Sequence, residues 1–186
     1  MTFTAYHQLS DIHGFLDYLA QTYPSLCKVY VIGSSVQGRP LKVLRISNGD
    51  PRNKAVWVDG GMHAREWITP ATVAYIINHL VLNFDAEPKA VQGIDWYFLP
   101  VANPDGYEYT RRVDRLWRKN RARSGQCPGT DLNRNFGYGT RNWFCFKIPY
   151  AFYPHLGVPR NCFNVTRMSQ HDALTYIPKL NPSVIH

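Results

Sequence analysis

An α/β domain is the fold class that the sequence predicts. Three observations carry it: 186 residues suit one domain with a sizeable core, 45% of them are apolar and 14% aromatic, and β-rich runs alternate with stretches of helical apolar spacing. Ser10 precedes Asp11 to Ala20, where Ile12, Phe15, Leu16 and Leu19 recur at helical spacing until Pro24 stops the pattern, predicting an amphipathic first helix. Cys27–Gly33 and Leu41–Ile46 are β-rich runs separated by a segment holding Gly38 and Pro40, and they read as a hairpin. Ala55–Val58 is a third strand. A helix follows from Thr69 to Phe84, with Val73, Ile76, Ile77, Leu80 and Leu82 as its apolar stripe. Asp95–Val101 is nearly continuous in apolar residues, as expected of a strand buried on both faces. It ends in Asn103-Pro-Asp-Gly106, a turn signal.

Beyond these elements the character changes. Arg111 to Gly139 is polar, basic and loop-like. After Thr140, aromatic residues crowd together, Pro recurs at 149, 154, 159, 178 and 182, and no apolar period holds for two turns apart from one weak strand near Leu174–Ile177. The expected division is therefore a folded part, 1–139, and a divergent, irregular tail, 140–186, for which disorder is one reading.

The most informative stretch is His63-Ala-Arg-Glu66-Trp67, set after the apolar run Ala55–Val58 and the turn Asp59-Gly-Gly61. An imidazole and a carboxylate three positions apart on a helical or turn-like backbone face the same side, and each is a standard zinc ligand at about 2.0–2.2 Å. Zinc held by two His and one Glu with a fourth position left for water is a hydrolytic arrangement. His-x-x-Glu also occurs by chance as a surface turn with a helix-capping carboxylate. Its place at the carboxyl end of a strand favours the metal reading, because open α/β sheets keep their sites there.

Lys and Arg total 21 against 13 acidic residues, a net charge of +8, and the excess concentrates in Arg111, Arg112, Arg115, Arg118, Lys119, Arg121 and Arg123. Such a run suits a nucleic-acid surface, a solvated face or a pocket for anionic groups. No RNA-binding aromatic signature, finger spacing or DNA-reading helix accompanies it, so no nucleic-acid partner is expected. No apolar run is long enough for a membrane span, and the chain opens without the pattern of a signal peptide. Cys27, Cys127, Cys145 and Cys162 lack CxxC pairing and read as free thiols or as up to two disulfides. The sequon Asn164-Val-Thr166 matters only in a secreted protein. His7, His13 and His79 match no ligand position, and Trp57 and Trp67 read as packing residues.

Five motifs, in order, resemble the zinc metallocarboxypeptidases of the A/B type, the M14 family, over Tyr6 to Gly139. They are Ile32-Gly-Ser-Ser-x-x-Gly-Arg-Pro40, Gly61-Met-His-Ala-Arg-Glu-Trp-Ile68, Pro100-Val-Ala-Asn-Pro-Asp-Gly-Tyr107, Arg115-Leu-Trp-Arg-Lys119 and Gly129-Thr-Asp-Leu-Asn-Arg-Asn-Phe136. The resemblance implies a mixed sheet flanked by helices, of which about four strands are recognisable before the irregular tail. It implies Zn²⁺ as cofactor, with His63 and Glu66 as metal ligands. Arg118 is implied as the catalytic arginine facing the scissile carbonyl and its oxyanion, and Arg65, Asn133 and Arg134 as substrate-binding groups for a peptide's terminal carboxylate. A planar guanidinium fork suits that carboxylate in bidentate fashion. Peptide or protein C-termini are the implied substrates, extracellular the implied location, and a monomer the expected state.

The chain also departs from the family. A third zinc ligand, a His in a Ser-x-His-Ser-like strand, is expected downstream of the Asn-Arg pair, followed by a capping Tyr and a general-base Glu. None of these motifs is recognised after Gly139. His155 and His171 are candidates only by residue type. The expectation is a metallocarboxypeptidase that is weak or inactive in this form, with a non-catalytic binder of peptide C-termini as the alternative. In the family a Cys at the position of Cys127 pairs with one some twenty residues later, for which Cys145 and then Cys162 are the candidates. The residue that sets side-chain preference falls in the unrecognised half.

Overall fold

The structure is a computed structural model and describes residues 1–124 and 127–135. Helix α1 runs Leu9–Thr22, strands β1 and β2 are Cys27–Ser34 and Pro40–Ile46, and β3 is Lys54–Asp59. Helix α2 (Ile68–Asn83) and the single turn α3 (Lys89–Gln92) lead to β4, Ile94–Leu99. Helix α4 (Pro104–Arg112), a two-residue pair β5 (Arg123–Ser124) and β6 (Cys127–Pro128), and a 3-10 turn at Leu132–Arg134 complete the described chain.

The sheet is mixed, in the order β1-β2-β4-β3. β1 pairs antiparallel with β2 and β2 antiparallel with β4, whereas β3 lies parallel to β4 with Val56 opposite Trp96 and Val58 opposite Phe98. The β1–β2 hairpin, the third and fourth strands and the two long helices thus stand where the apolar patterns put them. Among the described residues β3 forms one edge of this sheet, and β1 the other.

Strand periodicity explains why β2 and β4 read as nearly continuous apolar runs. Leu44, Ile46 and Phe98 face α1 and α2, where Phe15, Leu16, Leu19, Val73, Ile77 and Leu80 close the main core. Their alternating neighbours Leu41, Val43, Tyr97 and Leu99 build a second cluster with Ile32, Tyr30 and Trp57. An ion pair sits on that second face. Asp95, fully buried, accepts from Arg45 Nη2 at 2.6 Å, Ser47 Oγ at 2.6 Å and Asn53 Nδ2 at 3.0 Å. Burial opposes its ionisation, but these hydrogen bonds and the Arg45 charge outweigh burial and hold the carboxyl below its ordinary range.

Three local readings are corrected by the structure. α1 begins before Ser10: Gln8 is the N-cap and forms a capping box with Asp11. In α2 the buried stripe is Val73, Ala74, Ile77, Leu80 and Val81, while Leu82 is 58% exposed. At about 100° per residue Leu82 lies nearly opposite Leu80, so its apolar character does not place it inward. The signal at 103–106 is a helix start rather than a free turn. Asn103 Oδ1 accepts from Gly106 N at 3.0 Å, Pro104 occupies the first turn, and α4 carries the chain through Arg112, the second residue of the stretch expected to be loop-like. The tail at 140–186, its weak strand near Leu174–Ile177, the sequon at Asn164, and Cys145 and Cys162 lie outside the described residues. Cys27 is a free, buried thiol whose pKa burial pushes up to about 12.

Candidate metal centre

The site forms where β3 ends. Gly60 N donates to Leu99 O at 2.9 Å and Ala102 N to Gly60 O at 2.8 Å, so the parallel pairing continues one step past the strands. Gly61 then turns the chain at φ +64°, with an added Cβ only 3.1 Å from Pro70 Cγ and Val101 Cα. Thr69 Oγ1 accepts from Gly61 N at 2.9 Å and itself donates to Glu66 O at 2.9 Å, pinning both ends of the segment to the start of α2. Within it, Glu66 N reaches His63 O at 3.1 Å, closing a turn that sets the two side chains on one side.

His63 is buried and both its ring nitrogens face carboxylates. Nε2 lies 3.1 Å from Asp131 Oδ1; Nδ1 lies 3.1 Å from Glu66 Oε1 and 3.2 Å from Oε2. With the proton on Nε2, donated to Asp131, the bare Nδ1 lone pair faces a carboxylate at contact distance. Two electron-rich groups so placed would be drawn together by a cation between them. An imidazole nitrogen and a carboxylate oxygen 3.1 Å apart on one turn are the two residues that would hold a shared cation, and both are standard zinc ligands. An imidazole backed by a carboxylate through its other nitrogen is the usual support of a zinc-binding histidine.

Asp131 also accepts from Arg118 Nε at 2.9 Å, and Arg118 Nη1 stands 3.7 Å from Glu66 Oε1. Burial acts to raise the Asp131 pKa, yet the Arg118 hydrogen bond and charge, reinforced by His63, bring it below the ordinary carboxylate range. One carboxylate therefore links His63 to Arg118, residues that are far apart in sequence. Asp131 also caps the 3-10 turn through Asn133 N at 3.1 Å, so Asn133 and Arg134 follow on the same support. Both are exposed, and Arg134 Nη1 donates to Asn133 O at 2.9 Å. Arg65 is exposed as well, with its carbonyl accepting from Arg115 Nη1 at 2.8 Å.

The structure thus brings His63, Glu66 and Arg118 together and sets Asn133 and Arg134 one step away. Asp131, which sequence reasoning left without a role, is the hub; the signal available was an acidic residue two positions before Asn133. Among the described residues no group of three His, Cys, Asp or Glu side chains is placed to hold a metal ion, and His155 and His171 lie outside them. Four more residues of the basic run have aromatic or acidic neighbours. Arg111 and Arg115 stack on Trp67, Arg121 on Tyr109 and Trp117, and Arg112 pairs with Glu108 at 2.9 Å. A pocket of about 230 Å³ opens between the first seven residues and the start of α2, and its lining includes none of His63, Glu66, Arg118 or Asp131.

Comparison with known proteins points to one family. A sequence model described as zinc carboxypeptidase matches residues 12–148. Carboxypeptidase B of Astacus astacus is 43% identical over 141 residues, covering 74% of this chain and 46% of its own length. Zinc carboxypeptidase A 1 of Anopheles gambiae is 46% identical over 147 residues, covering 75% and 34%. The crystal structure of carboxypeptidase A from Helicoverpa armigera superposes with a TM-score of 0.69 at 41% identity, covering 76% of this chain and 36% of that one. The chain spans less than half the length of these relatives.

Proposed function

The chain belongs to the zinc carboxypeptidase family, and from that premise we propose that His63 and Glu66 hold a Zn²⁺ ion beside an arginine groove that captures the C-terminal end of a peptide. The observation that carries the proposal is the His63 ring, committed to Asp131 through Nε2 and turned to Glu66 through Nδ1. Zinc bound there supplies Lewis acidity toward a carbonyl oxygen and a more acidic water. Asp131 keeps the imidazole in the tautomer that leaves Nδ1 free to ligate. Arg118 is held through Nε, which fixes its plane and leaves its terminal nitrogens to meet the negative charge that develops on a scissile carbonyl. A donor preorganised in this way is worth about 3–4 kcal/mol of barrier lowering. Asn133, Arg134 and Arg65 hold the terminal carboxylate, and that requirement restricts the reaction to free C-termini.

On its own this chain is proposed to be weak or inactive as an enzyme, since two zinc ligands without a third, and without a general-base glutamate, leave the chemistry incomplete. Extracellular location and a monomeric state are proposed with it. The test is to incubate purified, zinc-loaded chain with a blocked dipeptide and to measure binding of a short peptide with a free C-terminus against its C-terminal amide. Slow or absent hydrolysis with at least tenfold preference for the free acid, lost in Arg134→Ala, is expected. Hydrolysis at ordinary enzyme rates that His63→Ala abolishes would refute the claim of weak activity, and equal binding of acid and amide would refute the clamp. Zinc content separates this reading from a non-catalytic binder, which needs none.

A further inference from the structure

Asn103 is nearly fully buried at the start of α4, and its amide is shared among three segments. Its Oδ1 accepts from Gly106 N at 3.0 Å, which caps the helix. The two protons of its Nδ2 go elsewhere: one to Met62 O at 3.2 Å and one to Lys119 O at 3.0 Å. Met62 immediately precedes His63, and Lys119 immediately follows Arg118. A third bond, Ala64 N to Arg118 O at 3.0 Å, lies alongside and ties the same two loops directly. The space is closed on the remaining side, where a Cβ built on Gly106 would stand 2.5 Å from Asn103 Nδ2, 2.7 Å from Lys119 O and 2.8 Å from Ala64 Cβ.

We propose that Asn103 is a positioning residue that sets the ligand turn at His63 and the arginine loop at Arg118 in mutual register. The inference rests on the zinc reading above and adds to it a residue that touches neither metal nor substrate. Capping alone does not account for asparagine here. Serine or aspartate caps a helix as well, but only an amide offers one acceptor for the helix and two donors for two separate carbonyls. Without those donors Met62 O loses this partner and Lys119 O keeps only the Trp117 indole N–H at 2.6 Å, so the direct tie between the two loops rests on the Ala64 N–Arg118 O bond. Because His63 and Arg118 meet again at Asp131, a shift of either loop alters the pocket that receives the ion. Support of a ligand by its surroundings typically changes metal affinity by about 10–100-fold.

Asn103→Ser tests the proposal, since serine retains the cap and cannot reach the two carbonyls. Zinc affinity of the full chain, measured by competition with a chromophoric chelator, is expected to fall about 10–100-fold in the folded variant, and the visible spectrum of the Co²⁺-substituted protein is expected to change. Unaltered affinity and an unaltered Co²⁺ spectrum in folded Asn103→Ser would overturn the proposal. A second measurement needs no variant. Coupling is reciprocal, so zinc binding to the unaltered chain should slow hydrogen exchange at the Gly106 amide; an exchange rate indifferent to zinc would also overturn it. If the unaltered chain binds no zinc, the zinc reading falls and this proposal falls with it, an outcome distinct from normal zinc binding that ignores Asn103.

Discussion

Substituting Gly106 and Gly14 by alanine should move stability in opposite directions, although both glycines are helical. In α1 a Cβ on Gly14 meets nothing within 4 Å, so Gly14→Ala gains the usual helix advantage of alanine, roughly 0.5–1 kcal/mol. In α4 the same atom on Gly106 meets Asn103 Nδ2 at 2.5 Å, Lys119 O at 2.7 Å and Ala64 Cβ at 2.8 Å. None of these neighbours is the loose end of a long side chain: one is held by three hydrogen bonds, one is backbone and one is a buried methyl. Overpacking of this kind costs about 1–3 kcal/mol, and displacing the Asn103 amide sacrifices further bonds at about 1 kcal/mol each. After subtracting the alanine advantage, a net loss of about 2–3 kcal/mol is expected for Gly106→Ala. Urea unfolding followed by circular dichroism measures both variants on one scale. A Gly106→Ala midpoint equal to or above that of the unaltered chain would refute the reasoning that close packing at α4 supports the site.

Other perturbations follow from the same structure. Asp131→Asn keeps the shape of the hub but removes its charge, and zinc affinity measured by chelator competition should fall about 10–100-fold; no change would contradict its place behind His63. Ile77, fully buried between α2 and the sheet, should cost about 2–5 kcal/mol on truncation to alanine, whereas Leu82→Ala, at a 58% exposed position, should stay within about 0.5 kcal/mol. Burial, assisted by the Lys42 charge and opposed by Asp17, lowers the His13 pKa from 6.5 to about 4. The folded state therefore takes up this proton later than the unfolded chain, so the contribution is complete above pH 6.5 and is lost as pH falls toward 4. Its size is on the order of 2–3 kcal/mol. The pH dependence of stability across that window should flatten in His13→Asn, and an unchanged slope would count against it.

Apolar periodicity was enough to find α1, the hairpin, β3, α2 and β4, because each buries a stripe or a face whose spacing is visible locally. Where one residue serves two purposes the local signal failed. Asn103-Pro-Asp-Gly106 has the composition of a turn, and only the capping bond to Gly106 N reveals a helix start. Leu82 carries the right chemistry at the wrong angle. The meeting of the His63 and Glu66 side chains was legible because a single turn holds both. Arg118, Asn133, Arg134 and Arg65 acquired roles only through family resemblance, since an arginine in a basic run has no local mark of function. Asp131 and Asn103 were not legible at all. Their partners lie 68 residues away at His63 and 41 away at Met62, and such distances are closed by the sheet and not by any spacing in the chain.

Zinc stoichiometry, determined by elemental analysis of the dialysed chain alongside His63→Ala, bears most directly on the ion proposed for His63 and Glu66. About one equivalent in the unaltered protein and a near-complete loss in the variant is the expected pair of values. Equal zinc in both, or none in the unaltered chain under zinc-replete conditions, would contradict it.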